Sequence, residues 1–217
     1  VPESRPHDLV AEQVRGLLVE WARRVGRRVA VCRNIALRWD EGRPAIGVDP
    51  DVCVVEPPPP EGDEVHSLLL WQTGHFPPFL AVEIVSQSRV DKDYSQSPEK
   101  YAMNGTRELW VFDPKLVGPK ERGRRFRIQV WRRDSDDDFR RVYAGDGPVR
   151  SEAVQGWLFA VNEGRSLRIA DDEQGTSWWM TPEEAERAGK VAAQRQAEAA
   201  QRLAEAAQRL AEAAQRQ

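Results

Sequence analysis

The chain has 217 residues, 40% of them hydrophobic and 31% charged, enough to bury one medium-sized core and leave material for an appendage. Its 32 Lys and Arg nearly balance its 35 Asp and Glu, for a formal net charge of -3, which excludes a protein that coats nucleic acid through bulk charge. No window approaches the roughly 18 apolar residues of a membrane span, and the first residues lack the apolar stretch of a signal peptide, so a soluble, cytoplasmic chain is expected.

Leu9, Val10, Val14, Leu17, Leu18, Trp21, Ala22 and Val25 recur at spacings of three and four, the stripe of an amphipathic helix ending near Gly26. Strand-like runs follow over residues 28–32, 35–39 and 51–55. Cys32 and Cys53 lie in these runs without CxxC spacing, which predicts buried reduced thiols rather than a disulfide or a zinc site. The Pro57 to Pro60 run and the residues to Asp63 mark a surface loop. Residues 79–85 are apolar except for Glu83, the pattern of a strand buried on both faces and central in its sheet. Ser97 as N-cap, Pro98 at the first helical position and Gly105 after the last turn predict a short helix. Glu108 to Asp113 reads as the next strand, stopped by Pro114. Residues 125–133 alternate and lead through an Asp-rich turn into Phe139 to Tyr143, which predicts a hairpin with one polar face. Strand, helix and strand in that order imply a mixed α/β sheet.

The composition changes at Thr181, where Thr181 and Glu184 form a capping box with Pro182 just inside the helix. Residues 195–201, 202–208 and 209–215 are near-identical sevens. Leu203 and Leu210 are seven apart, Gln196 holds the equivalent place one heptad earlier, and Ala206 and Ala213 follow each Leu by three, giving a seam for a partner helix. Glu198, Glu205 and Glu212 precede Arg202, Arg209 and Arg216 by four, in the favourable order for ion pairs of about 0.3 to 0.5 kcal/mol each. The expectation is a homodimer joined through this C-terminal helix, with a lone solvated helix as the alternative.

Two acids stand where their surroundings penalise them. Asp51 heads an apolar strand and Glu83 lies inside one, where an unpaired carboxylate would cost several kcal/mol. Two such carboxylates beside a main-chain carbonyl make a hard oxygen site for Mg²⁺ or Mn²⁺, which suits phosphodiester hydrolysis. The competing reading is a strand-capping Asp and a Glu paired with Arg. His7, His66 and His75 have no ligand spacing and read as surface or capping residues. Glu12 and Glu20 read as solvated helix residues. Arg125, Arg127 and Arg133 either track a phosphate backbone or form a plain polar sheet face. No phosphate-loop glycine motif is present, which disfavours a nucleotide-driven motor.

Val48 to Val55, then Pro77 to Ser86, then Asp93, Tyr101, Gly105 and Glu108 to Pro114, and finally Ser151 to Gly156, together resemble the ordered signatures of the Uma-two family of restriction endonucleases across roughly residues 5 to 165. The resemblance implies a PD-(D/E)xK restriction-endonuclease-like fold: an α/β mixed sheet flanked by helices, here with a C-terminal coiled-coil-like helix. It implies a nuclease domain over residues 1–170, to which the composition change and the heptads add a linker over 171–181 and a helical tail over 182–217. It also implies that Asp51 and Glu83 bind the metal. The superfamily's strand lysine falls on Val85, and the lysine common on the following helix in this family falls on Ser97. Lys100, about 60° away around the same helix at about 100° per residue, is the substitute. Lys92 is the reserve. The implied function is metal-dependent hydrolysis of DNA by Asp51, Glu83 and Lys100. The alternatives are a catalytically silent nuclease fold that binds nucleic acid or protein, and a passive globular cargo for the tail.

Overall fold

A computed structural model describes residues 5–86, 94 and 96–215. Helix α1 (Arg5–Val25) is followed by β1 (Ala30–Cys32), β2 (Ala36–Arg38), β3 (Gly47–Val48), β4 (Val52–Val55), β5 (Ser67–Leu69) and β6 (Leu80–Ile84). Then come α2 (Ser97–Asn104), β7 (Glu108–Phe112), β8 (Ile128–Arg133), β9 (Phe139–Gly145), β10 (Val149–Arg150), β11 (Trp157–Val161), β12 (Ser166–Ala170) and α3 (Pro182–Gln215). A six-stranded sheet runs in the order β1-β4-β6-β7-β8-β9, with β6 and β7 at its centre as expected for residues 79–85. The β6–β7 pair is parallel and the other neighbours are antiparallel. A parallel pair needs a crossover, and α2 lies in it.

Strands β4, β6 and β7 are buried along their whole length, because apolar layers cover both faces of the sheet. Leu80, Val82 and Ile84 share one layer with the α1 stripe and with Leu158, Leu167 and Ile169 of the small sheet β10-β11-β12. Ala81, Val85, Cys32 and Cys53 share the other with Tyr101 of α2 and with Leu37, Val48 and Leu68 of the small sheet β3-β2-β5. This mixed sheet flanked by helices, with a C-terminal helix, is the expected fold class. The two cysteines are buried free thiols facing one another across β1 and β4.

Residues 1–179 and 180–217 form separate compact units. Trp179 closes the first, buried in its core and stacked on Trp21 with ring centroids 6.0 Å apart. In the second, Thr181 N–H donates to Glu184 Oε2 at 2.9 Å and Glu184 N–H to Thr181 Oγ1 at 3.3 Å, the expected capping box. Among the described residues no ion pair joins Glu198 to Arg202 or Glu205 to Arg209. Gln194 and Gln201 donate to those carboxylates instead, at 3.0 and 3.1 Å, since a Gln four residues earlier reaches the same acid. The N-cap of α2 is Gln96, and Ser97 lies inside the helix, while Gly105 ends it with φ of 83°. No described helix is long and apolar enough to cross a membrane.

Candidate active site

Antiparallel pairing of Val52 with Val82 and Cys53 with Ala81, continued by one residue, sets Asp51 opposite Glu83. Residues directly opposite in such a pair point to the same face. Both are buried, at 5% and 2% exposure. Asp51 Oδ2 accepts the Ile84 N–H at 2.6 Å, and Glu83 Oε1 accepts the Tyr101 hydroxyl at 2.8 Å. Tyr101 reaches Glu83 because the inward face of α2 is built from Ser97, Pro98, Tyr101 and Asn104 at helical spacing. Burial above all pushes the Tyr101 hydroxyl well above the usual phenol range, and the Glu83 charge and hydrogen bond, Cys53 and Asp51 add to this. The fields of both carboxylates therefore meet at one phenol oxygen.

A third side chain joins them. His7 Nε2 lies 2.8 Å from the Ile84 carbonyl oxygen and 3.2 Å from Asp51 Oδ2. A carbonyl only accepts, so Nε2 carries the hydrogen. At 6% exposure His7 is not the surface or capping residue its isolated position suggests. The overlooked signal is its spacing: His7, Val10, Val14, Leu17 and Trp21 form one buried stripe on α1. His75 is likewise buried, its Nδ1 accepting the Leu69 N–H at 2.9 Å and its Nε2 donating to Glu61 at 3.1 Å, so it closes a loop. His66 is exposed.

Lys100 is half-buried on α2, one residue before Tyr101, and forms no hydrogen bond or ion pair among the described residues. Lys92 lies outside the described residues. Ser97 is fully buried, and its Oγ has no hydrogen-bond partner among the described residues. Val85 is buried in the apolar layer. Glu12 pairs with Arg15 and Arg33, and Glu20 with Arg23, so neither acid is part of the Asp51 cluster. The arginine row turns inward. Arg125 donates to Gly118 O, Arg127 to Pro114 O and Gly164 O, and Arg133 to Thr106 O and Ala102 O, which ties loops and the end of α2 to the sheet.

The donor set of Asp51, Glu83 and the Ile84 carbonyl is hard oxygen, which fits a divalent cation such as Mg²⁺ or Mn²⁺. Among the described residues no group of three or more His, Cys, Asp or Glu side chains is placed to hold a metal ion. The nearby Cys53 thiol is pushed up by its hydrogen bond with Cys32, by burial and by the Cys32 and Glu83 charges, and stays a neutral thiol with little ligand character. A cavity of about 450 Å³, lined by Phe76, Arg107, Glu108 and Arg132, opens at the other end of the central strands.

A crystal structure described as a "putative nuclease belonging to DUF820", from Anabaena variabilis, aligns with a TM-score of 0.49 and 14% identity over 71% of this chain and 75% of its own. No curated protein matches. The family model Uma2, described as "Putative restriction endonuclease", matches residues 1–162, and the chain therefore belongs to that family.

Proposed function

We propose that this chain is a divalent-metal-dependent endonuclease that hydrolyses DNA phosphodiester bonds. Asp51 and Glu83 hold Mg²⁺ or Mn²⁺, Lys100 is the catalytic amine, and two copies assemble through the C-terminal helix. Membership of a nuclease family supports the reaction class. The observation that carries the site is the opposition of two buried carboxylates across β4 and β6, beside the Ile84 carbonyl. A divalent cation there supplies a Lewis acid for a phosphoryl oxygen and lowers the pKa of water. Tyr101 fixes the rotamer of Glu83, and the Ile84 N–H fixes Asp51. The long side chain of Lys100 is placed on the helix that covers Glu83, where its ammonium can orient the attacking water or neutralise charge growing on the phosphorane. Ser97, at the place where family members commonly carry lysine, and Val85, at the place of the wider superfamily's strand lysine, favour the second reading of a catalytically silent binding domain.

Calorimetry and plasmid nicking with the full chain separate the two. Glu83→Gln is expected to remove Mg²⁺ and Mn²⁺ binding and nicking together. Lys100→Ala is expected to keep binding and lower nicking by about 10² to 10³ fold. Unchanged metal binding in Glu83→Gln would sink the site, and metal binding by the parent without any nicking would establish the silent reading.

A further inference from the structure

We infer that the loop between β7 and β8 is a clamp for the DNA backbone, with Lys120, Arg122 and Arg124 holding phosphates, an inference that rests on the DNA reading above. Residues 114–126 carry the cations Lys115, Lys120, Arg122, Arg124 and Arg125 against one acid, Glu121, so the segment is basic in a chain whose formal net charge is -3. The single acid is withdrawn from the surface field. Glu121 pairs through both carboxylate oxygens with the guanidinium of Arg141 on β9. Arg125 is committed to the base of the loop through Gly118 O. Lys120, Arg122 and Arg124 are exposed and make no side-chain hydrogen bond or ion pair among the described residues.

The loop also stands in the right place. Phe112, at the end of β7, lies beside Ile84 in the parallel register, so the loop springs from the end of the sheet at which Asp51 and Glu83 stand. Its root is fixed, because Asp113 Oδ2 accepts the Gly118 N–H and the Tyr94 hydroxyl, each at 2.8 Å. Its tip is a two-residue turn, closed by the Glu121 N–H to Arg124 O at 2.8 Å and the Arg124 N–H to Glu121 O at 3.0 Å. The central residues Arg122 and Gly123 have φ of 50° and 82°. Asn, Asp or Gly is the usual choice at both places, since the left-handed region penalises most other side chains. An arginine kept there is a charge presented at a conformational cost. The partner's class follows from what surrounds these cations. No large hydrophobic side chain of residues 114–126 is exposed, whereas a protein interface is anchored on aromatic or aliphatic groups. A phosphate backbone needs only the cations.

The test is fluorescence anisotropy of the full chain with two unrelated DNA duplexes, in chelator so that no metal-dependent cleavage intervenes, between about 50 and 200 mM salt. Each phosphate contact contributes about 0.9 to the slope of log K against log salt. Lys120→Gln/Arg122→Asn/Arg124→Gln is therefore expected to flatten that slope by about 2 to 3, equally for both duplexes. Arg122→Asn alone is expected to flatten it by about 1 and to melt no lower than the parent, because Asn suits the turn. Weakened binding in a variant of undiminished stability separates phosphate contact from a role in folding. Unchanged slopes in a parent that binds both duplexes overturn the loop inference alone. Polyglutamate bound by the parent more tightly than either duplex, and lost in the triple variant, assigns the loop to an acidic protein and overturns it as well. A parent that binds neither duplex, in chelator or in Mg²⁺, overturns the DNA reading and this inference with it.

Discussion

Glu83 and Glu108 are both 2% exposed, yet the chain treats them differently. Glu108, at the start of β7, receives Trp110 Nε1 at 2.7 Å, Arg132 Nε at 3.0 Å, the Glu152 N–H at 3.0 Å and the Ser151 hydroxyl. With the Ala153 N–H at 3.4 Å these donors saturate the carboxylate, and they tie β7 to the loop after β10. Arg132 keeps Glu152 Oε1 at 2.7 Å, so Glu108→Gln is expected to cost about 2 kcal/mol in chemical denaturation, because one buried acceptor becomes a donor facing donors, and to leave Mn²⁺ affinity unchanged. Loss of metal binding without loss of stability would reverse that assignment. Glu83 was legible as an exceptional acid because apolar residues flank it on both sides, whereas Glu108 opens its strand and reads as an ordinary boundary residue. Asp51 was legible for its place after Pro50. The partnership of both acids with Tyr101 and His7 was not, because it depends on which elements cover the carboxyl end of β6.

At the scale of elements, α1 is fastened twice. Its stripe packs on the sheet, and near its end Arg24 makes a two-bond ion pair with Asp171 at 2.7 and 2.8 Å, while Asp171 also accepts Trp179 Nε1 at 2.7 Å. The Arg24 hydrogen bond holds the Asp171 carboxyl below the usual carboxylate range against partial burial, and Trp179 adds to this. A carboxyl whose folded value is depressed contributes stability above its unfolded value of about 3.9 and loses it as pH falls through the folded value. Asp171→Asn is accordingly expected to melt lower than the parent at pH 7, with the gap closing below about pH 4. A gap that stays constant with pH would show that Asp171 acts only by packing. The helix boundaries at Gly105 and at the Thr181 capping box were readable because capping is local chemistry. Strands β10 to β12 were not anticipated, since β10 is two residues long and gains its register only from β11. The turn at Asn162, Glu163 and Gly164, all with positive φ, was the available hairpin signal.

At the scale of the whole molecule, the proposed assembly of two copies rests on the tail. Helix α3 spans 34 residues, and Leu203 of its seam is 72% exposed. The first compact unit ends at Trp179, which makes that residue the rational truncation point. Sedimentation is expected to give a dimer for the full chain at micromolar concentration and a monomer for the chain ended at Trp179. If both sediment as monomers, the seam does not join copies of this protein. The heptads were the most readable part of the sequence because their period needs no tertiary context. The partner's identity does not follow from the period.

The bond between His7 and Ile84 spans 77 positions, and the sheet beneath it closes only when β7 is laid parallel to β6. A ribosome delivers the amino terminus first, so α1 emerges with Val14, Leu17, Leu18 and Trp21 bare long before β6 and β7 exist to cover them. Translation must pass Tyr101 before the acids, the imidazole and the phenol can meet. Until β6 and β7 are delivered, the apolar stripe of α1 needs shelter.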